Sequence, residues 1–202
     1  MKSLLVFGVI LAMSVSAAHA ITVQNGSFEL GNAGSGFTTR PAGSSALPGW
    51  TIGGSSIDHI GGYWQAADGG QSLDLSGSNA GSVSQTLTGF VVNRSYRLSF
   101  ALAGNPDNGD RYKDIRATIG ASSQEFTFDT ETTSRSNMGW VYHDITFTAP
   151  TENLQLSFLS LDTNPWGPAL DDVSVSAVPL PPGALLLLTG FGCAAALRRR
   201  KR

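Results

Sequence analysis

The spacing of apolar residues is the strongest constraint on this chain, because between Ile21 and Ala177 they recur at every second position. Tyr96, Leu98, Phe100 and Leu102 alternate with Arg97, Ser99 and Ala101. The same period runs through Leu73 and Leu75, through Val83, Gln85 and Leu87, and through Ile115, Ala117 and Ile119. It continues in Phe126 and Phe128, Ile145 and Phe147, Leu154, Leu156 and Phe158, and Val173 and Val175. Alternation of this kind describes strands with one buried face. No amphipathic helix of ten or more residues interrupts it. The 24 glycines and the low charged fraction of 14% favour short strands joined by tight turns over coiled coils or helical bundles. Breaks rich in Gly, Asn, Asp and Pro fall at 31–49, 53–56, 61–70, 104–110, 130–139 and 162–168. No linker divides the region, so it reads as one all-β domain, 21–177, folded as a sandwich or jelly roll.

The two ends read as addresses. Met1 to Ala20 has a basic start, an apolar run from Leu4 to Val15 and the triplet Ala18-His19-Ala20. Small residues three and one positions before a cut mark a signal-peptidase site, which predicts cleavage after Ala20. The other end reads Val178-Pro179-Leu180-Pro181-Pro182, then an apolar segment 183–197, then Arg198-Arg199-Arg200-Lys201-Arg202. Fifteen helical residues span about 22 Å, less than a hydrocarbon core of roughly 30 Å. Such a segment makes a short transmembrane helix, and the basic block would hold that end in the cytoplasm. Proline-rich entry, brief apolar stretch and Arg cluster together resemble the PEP-CTERM sorting signal of Gram-negative bacteria, with Val178, Pro179, Leu180 and Pro181 as its short motif. The resemblance implies an exosortase as processing partner, transient residence in the inner membrane through 183–197, and final placement at the cell surface or in the extracellular matrix.

Charge and cysteine agree with export. The region from Ile21 to Leu180 holds seven basic residues against all fifteen acidic ones, a net of −8. An acidic domain repels phosphate backbones, which excludes nucleic acid as a partner. The one cysteine, Cys193, lies in the tail, so the domain holds no internal disulfide and depends on its core.

Several motifs occur in order along the domain. They are Asn25-Gly26-Ser27-Phe28-Glu29, Leu47-Pro48-Gly49-Trp50, Ile57-Asp58-His59-Ile60 and Trp64-Gln65-Ala66-Ala67-Asp68-Gly69. Ser72-Leu73-Asp74-Leu75, Gly81-Ser82-Val83-Ser84-Gln85-Thr86 and Gly167-Pro168-Ala169-Leu170-Asp171-Asp172-Val173 follow. The set resembles the choice-of-anchor C family of bacterial exported proteins, and it is similar to plant cell-wall proteins that share a domain of unknown function. The resemblance implies a galactose-binding-like jelly-roll β-sandwich associated with extracellular polysaccharide, without established catalytic residues.

In many galactose-binding-like modules, acids of the first and last strands share a structural calcium ion. Here those acids are Glu29 and the pair Asp171-Asp172. Calcium takes six to eight oxygens from carboxylates, carbonyls and water. Strict alternation sends Asp171 to the face of Val173 and Asp172 to the other. With Val173 pointing into the core, Asp172 is the expected partner of Glu29. The alternative is that these acids cap turns or accept backbone hydrogen bonds.

Sugar binding calls for aromatic faces against pyranose C–H groups and polar groups for the hydroxyls. Tyr63 and Trp64 lie in a glycine-rich loop, and Trp166 is held between Pro165 and Pro168. Asp107 and Asn108, in the polar loop 105–110, are the candidate hydrogen-bonding groups. Trp50 and Trp140 border strands and read as core. Each histidine of the exported region, His59 and His143, stands beside an aspartate on a strand. Adjacent strand residues face opposite ways, so neither pair forms a His-Asp dyad. With no nucleophile elbow, metal-protease motif or phosphate loop, the expectation is a non-enzymatic polysaccharide-binding protein. The alternatives are a structural surface protein without sugar affinity and, since fifteen acids offer many carboxylate pairs, a glycoside-active enzyme.

Overall fold

The computed structural model describes residues 21–179. The expected signal peptide with its cleavage after Ala20, Leu180 and Pro181 of the sorting motif, the apolar segment 183–197 and the basic tail lie outside the described residues.

The described residues form eleven strands and no helix: β1 (Phe37–Pro41), β2 (Thr51–Gly54), β3 (Ser56–Ile60), β4 (Ser72–Asp74), β5 (Gly81–Thr88), β6 (Ser95–Gly104), β7 (Tyr112–Ile119), β8 (Ser122–Asp129), β9 (Val141–Thr148), β10 (Asn153–Ser160) and β11 (Pro168–Ala177). They make two antiparallel sheets, ordered β1-β3-β4-β11-β6-β9 and β2-β5-β10-β7-β8. The all-β jelly-roll sandwich expected from the alternation is the fold observed.

The inner faces follow the period of two. Leu98, Phe100 and Leu102 of β6 are fully buried, as are Leu156 and Phe158 of β10. The Phe100 and Phe158 rings join the sheets edge to face at 5.1 Å. Trp50 packs at 5.4 Å on Phe28 and 6.4 Å on Phe158, so its reading as core holds. Trp140 packs against the core while only partly buried, its indole N–H donating to the Gln65 carbonyl.

Two departures from alternation decide where the functional groups fall. The outer face of the six-stranded sheet is not left to solvent. Asp74, Ala169 and Ala103 are register partners across β4, β11 and β6, and all are fully buried beside core-facing Leu73, Leu170 and Leu102. Loop 61–71 covers this face: the Trp64 indole donates to Ser72 Oγ at 2.8 Å, and the amides of Ala67 and Asp68 donate to Asp171.

The second departure is a β-bulge in β11 between Asp171 and Ser174, with Asp172 at a φ of 44°. A bulge inserts one residue and resets the alternation. Asp171 therefore keeps the outer face of Ala169, while Val173 and Val175 return to the core. The expected assignment of Asp171 to the face of Val173 is corrected by this extra residue.

Asn25-Gly26-Ser27-Phe28 is also a turn rather than the strand expected of a first motif, with Asn25 at φ 52° and Phe28 at φ 57°. Gly26 is required there. Its carbonyl accepts from the Val173 amide at 3.0 Å, and a Cβ on it would lie 2.2 Å from the Val173 carbonyl oxygen.

Both ends of the described chain leave from one end of the sandwich. Ile21 bridges to Val175, and the Val178 amide donates to the Ser95 carbonyl. The opposite ends of β6 and β11 carry loops 105–111 and 161–167.

Candidate functional site

Those two loops, with loop 61–71, enclose a cavity of about 240 Å³ over the outer face of β1, β3 and β4. Its apolar wall is Phe37, Tyr63, Trp64, Ile60 and Trp166, and its polar groups are Thr39, Asp58, Asp74, Asn105 and Asp107. Four of the five expected sugar-contacting residues, Tyr63, Trp64, Asp107 and Trp166, thus converge. Asn108 does not line the cavity. Its side chain caps the Gly109 amide and its carbonyl accepts from buried Lys113 at 2.9 Å. Asn105, three positions earlier, takes its place.

The floor is built by strand pairing. Thr39, Asp58 and Asp74 are consecutive register partners across β1, β3 and β4, so their side chains share the outer face. Thr39 Oγ1 donates to Asp58 Oδ1 at 2.5 Å. Burial raises the Asp58 carboxyl, and the Thr39 hydrogen bond offsets this in part. Asp74 is fully buried and accepts from Asn105 Nδ2 at 2.8 Å, the Ser76 amide at 2.8 Å and the Gly167 amide at 3.2 Å. Burial outweighs these donors and pushes its pKa up to about 8. Asp74 therefore fastens loops 105–111 and 161–167 to the sheet beneath the cavity.

The rim is a second network. Tyr63 Oη donates to Asp107 Oδ2 at 2.6 Å, and Arg135 reaches the same carboxylate through two nitrogens at 2.7 and 2.8 Å. The guanidinium also lies 4.0 Å over the Tyr63 ring. Burial would raise Asp107, but Arg135 and Tyr63 prevail and hold it below the ordinary carboxylate range. Trp166 is half-buried, with its amide held by Asn164 Oδ1. Phe37 meets the Tyr63 ring edge-on at 5.0 Å and keeps 48% of its surface exposed.

The acids expected to hold calcium are arranged otherwise. Glu29 Oε1 accepts from the amides of Gly70 and Gln71 at 2.8 and 2.6 Å. Asp172 Oδ2 accepts from the Tyr142 hydroxyl at 2.7 Å, so the two acids share no partner. A calcium ion held jointly by Glu29 and Asp172 does not fit these residues. The acid that works with Glu29 is Asp171, whose Oδ2 accepts from the Ala67 and Asp68 amides at 2.8 and 3.0 Å. Glu29 and Asp171 thus clamp successive turns of loop 61–71, and Gly69 passes so close that a Cβ there would lie 2.5 Å from Glu29 Oε1. Burial pushes Asp171 up to about 7 against the pull of three backbone amides. Among the described residues, no group of three or more His, Cys, Asp or Glu side chains is placed to hold a metal ion.

The histidines do not enter the cavity. His59 is fully buried on the core side, its Nε2 2.9 Å from the Phe28 carbonyl, while neighbouring Asp58 faces the cavity. His143 packs on the Phe126 ring at 4.7 Å.

Asp58, Asp74, Asn105, Phe37 and Arg135 were not singled out as site residues from sequence. Asp58 and Asp74 stand at solvent-side positions of their strands, and the only signal against solvation was the long glycine-rich segment between β3 and β4, which folds back over them.

Fold and site together define a β-sandwich with an aromatic and acidic cavity at one end of its six-stranded sheet. The chain belongs to the family described as "Protein of unknown function (DUF642)", whose profile matches residues 21–176. It is 33% identical over 177 residues to halomucin of Haloquadratum walsbyi (strain DSM 16790 / HBSQ001), covering 85% of this chain. The chain spans only 2% of that much longer protein. Among solved structures it is similar to TmCBM61 in complex with β-1,4-galactotriose, at 13% identity and a TM-score of 0.49 over 77% of this chain and 97% of the other. It is also similar to the CBM22-1 xylan-binding domain of Paenibacillus barcinonensis Xyn10C, at 18% identity and a TM-score of 0.43 over 77% and 93%.

Proposed function

We propose that this protein is an exported, non-enzymatic module that binds extracellular polysaccharide through the cavity under loop 61–71. The observation that carries the reading is the convergence of Trp166, Tyr63 and Phe37 with Asp58, Asn105 and Asp107 around one cavity. The rings offer apolar faces to pyranose C–H groups, and the polar groups take hydroxyls. Binding rather than hydrolysis is favoured because both oxygens of the Asp74 carboxylate are occupied by Asn105, Ser76 and Gly167. The pair opposite each other on the floor therefore lacks a second free carboxylate for acid–base work.

Surface display through the C-terminal sorting signal and an exosortase belongs to the same proposal. The chain leaves the sandwich at Val178 beside Ser95, whereas the cavity lies beyond Gly104 at the far end of β6. Ten extended residues separate these ends by about 33 Å, so a tether at Val178 leaves the cavity open outward. Glycan-array binding by the purified protein, lost in Trp166→Ala, tests the binding reading; an array with no binding retires it. Intact mass of the native protein tests the sorting, and chains that all still end in Arg202 refute it.

A further inference from the structure

The charge of the cavity narrows the class of glycan. Asp58, Asp74 and Asp107 line it, and among the described residues no lysine or arginine does. The nearest guanidinium, Arg135, is committed to Asp107 by two hydrogen bonds and stacked on Tyr63. The buried Lys113 lies behind the floor, donating to the Asn108 carbonyl. Asp58 is only 8% exposed. Thr39 occupies its Oδ1, and its Oδ2 has no hydrogen-bond donor among the described residues. That oxygen is the acceptor the cavity presents to a ligand. It suits a hydroxyl donor and repels a carboxylate or sulfate, and the repulsion is strong because the low-dielectric wall screens it poorly.

Resting on the polysaccharide-binding reading, we infer that the cavity is selective for neutral pyranose residues, with Asp58 as the residue that excludes acidic sugars. A neutral hydroxyl donates to Asp58 while the ring lies against Trp166 or Tyr63. A uronate or sulfated sugar in the same place brings a second anion against Asp58 and Asp107, with no free cation among the described lining residues to meet it.

The test is binding of the full-length protein, purified in mild detergent, to matched oligosaccharides that are neutral or carry a uronate or sulfate group. Neutral members should bind at least tenfold more tightly than their acidic counterparts. Asp58→Asn keeps the Thr39 acceptor, removes the charge and turns the free Oδ2 acceptor into a donor, so it should weaken neutral binding yet shrink that ratio severalfold. Asp107→Asn, which frees Arg135 at the rim, should shrink it as well and serves if the Asp58 variant fails to fold. Equal or tighter binding of acidic members by the unaltered protein overturns the inference and leaves polysaccharide binding standing. An unchanged ratio in both folded variants overturns the role of these carboxylates. No binding to any member refutes instead the reading on which the inference rests.

Discussion

Asp58 and Asp74 stand directly opposite each other across the β3–β4 ladder, line one cavity, and have opposite roles. Asp74 is saturated by donors from loops 105–111 and 161–167 and holds the cavity together. Asp58 keeps one oxygen for a ligand. Like charges directly opposite destabilise a sheet unless one is neutralised. Burial supplies the neutralisation at Asp74, pushing it up to about 8 with the Asp58 charge raising it further, while the Thr39 hydrogen bond offsets burial at Asp58.

This arrangement has a pH signature. Asp74 and Asp171 are raised by burial to about 8 and about 7, above an unfolded value of 3.8. The folded state therefore holds their protons more tightly than the unfolded state does. The resulting stability is complete below pH 3.8 and is lost as pH rises through about 7 and 8. The histidines, lowered from 6.5 by burial, and Lys113, lowered from 10.5 by burial, act in the opposite sense. The thermal midpoint should fall between about pH 6.5 and 8.5, and fall less in Asp74→Asn. A midpoint rising across that interval contradicts the buried-acid account.

Trp166 should separate binding from folding. It is half-buried at the cavity wall and absent from the core cluster. Trp166→Ala should weaken glycan binding at least tenfold, roughly 1.4 kcal/mol or more, with a stability change within about 1 kcal/mol. Titration calorimetry beside denaturant unfolding checks both; equal losses in the two would make Trp166 a packing residue.

Lys113 is the cation beneath the floor, fully buried with its ammonium on the Asn108 carbonyl and the field of Asp162 and Asp74 opposing its desolvation. Lys113→Met fills the space but leaves Asp162, its larger electrostatic partner, without a cation. Stability should drop by about 3 kcal/mol in denaturant unfolding, because removing one partner strands buried charge. A variant as stable as the parent would show that Asp162 is already neutral.

Much of this was legible in the sequence. The period of two from Tyr96 to Leu102 placed β6 correctly, since packing against Phe158 enforces it. The turn composition of 61–70, 104–110 and 162–168 located all three loops around the cavity. What periodicity could not show was that loop 61–71 folds back over the outer face and buries Asp58, Asp74 and Ala169. Alternation assigns faces within a strand and is silent on what covers them. The polar loop 105–110 was recognised, but the choice of Asn108 over Asn105 within it could not be made from sequence, because the partner that fixes Asn105, Asp74, is 31 residues away. The bulge in β11 was equally hidden, because nothing in Leu170-Asp171-Asp172-Val173 announces an inserted residue.

That bulge yields the sharpest contrast among neighbouring substitutions. Asp171 is fully buried, and it accepts from Ala67, Asp68 and its own successor Asp172. Asp172 faces outward to the Tyr142 hydroxyl, an exposed hydrogen bond. Asp171→Ala strands backbone amides under loop 61–71 and should cost about 3 kcal/mol, while Asp172→Ala should cost about 0.5 kcal/mol. Glu29→Gln keeps an acceptor for Gly70 and Gln71 and should lie between them, at about 1 kcal/mol. Denaturant unfolding of the three variants gives the order, and hydrogen exchange at Ala67 and Asp68 should accelerate only in Asp171→Ala. If Asp172→Ala were the more damaging change, strict alternation would be the better description of β11, and the clamp on the cavity's covering loop would have to be reassigned.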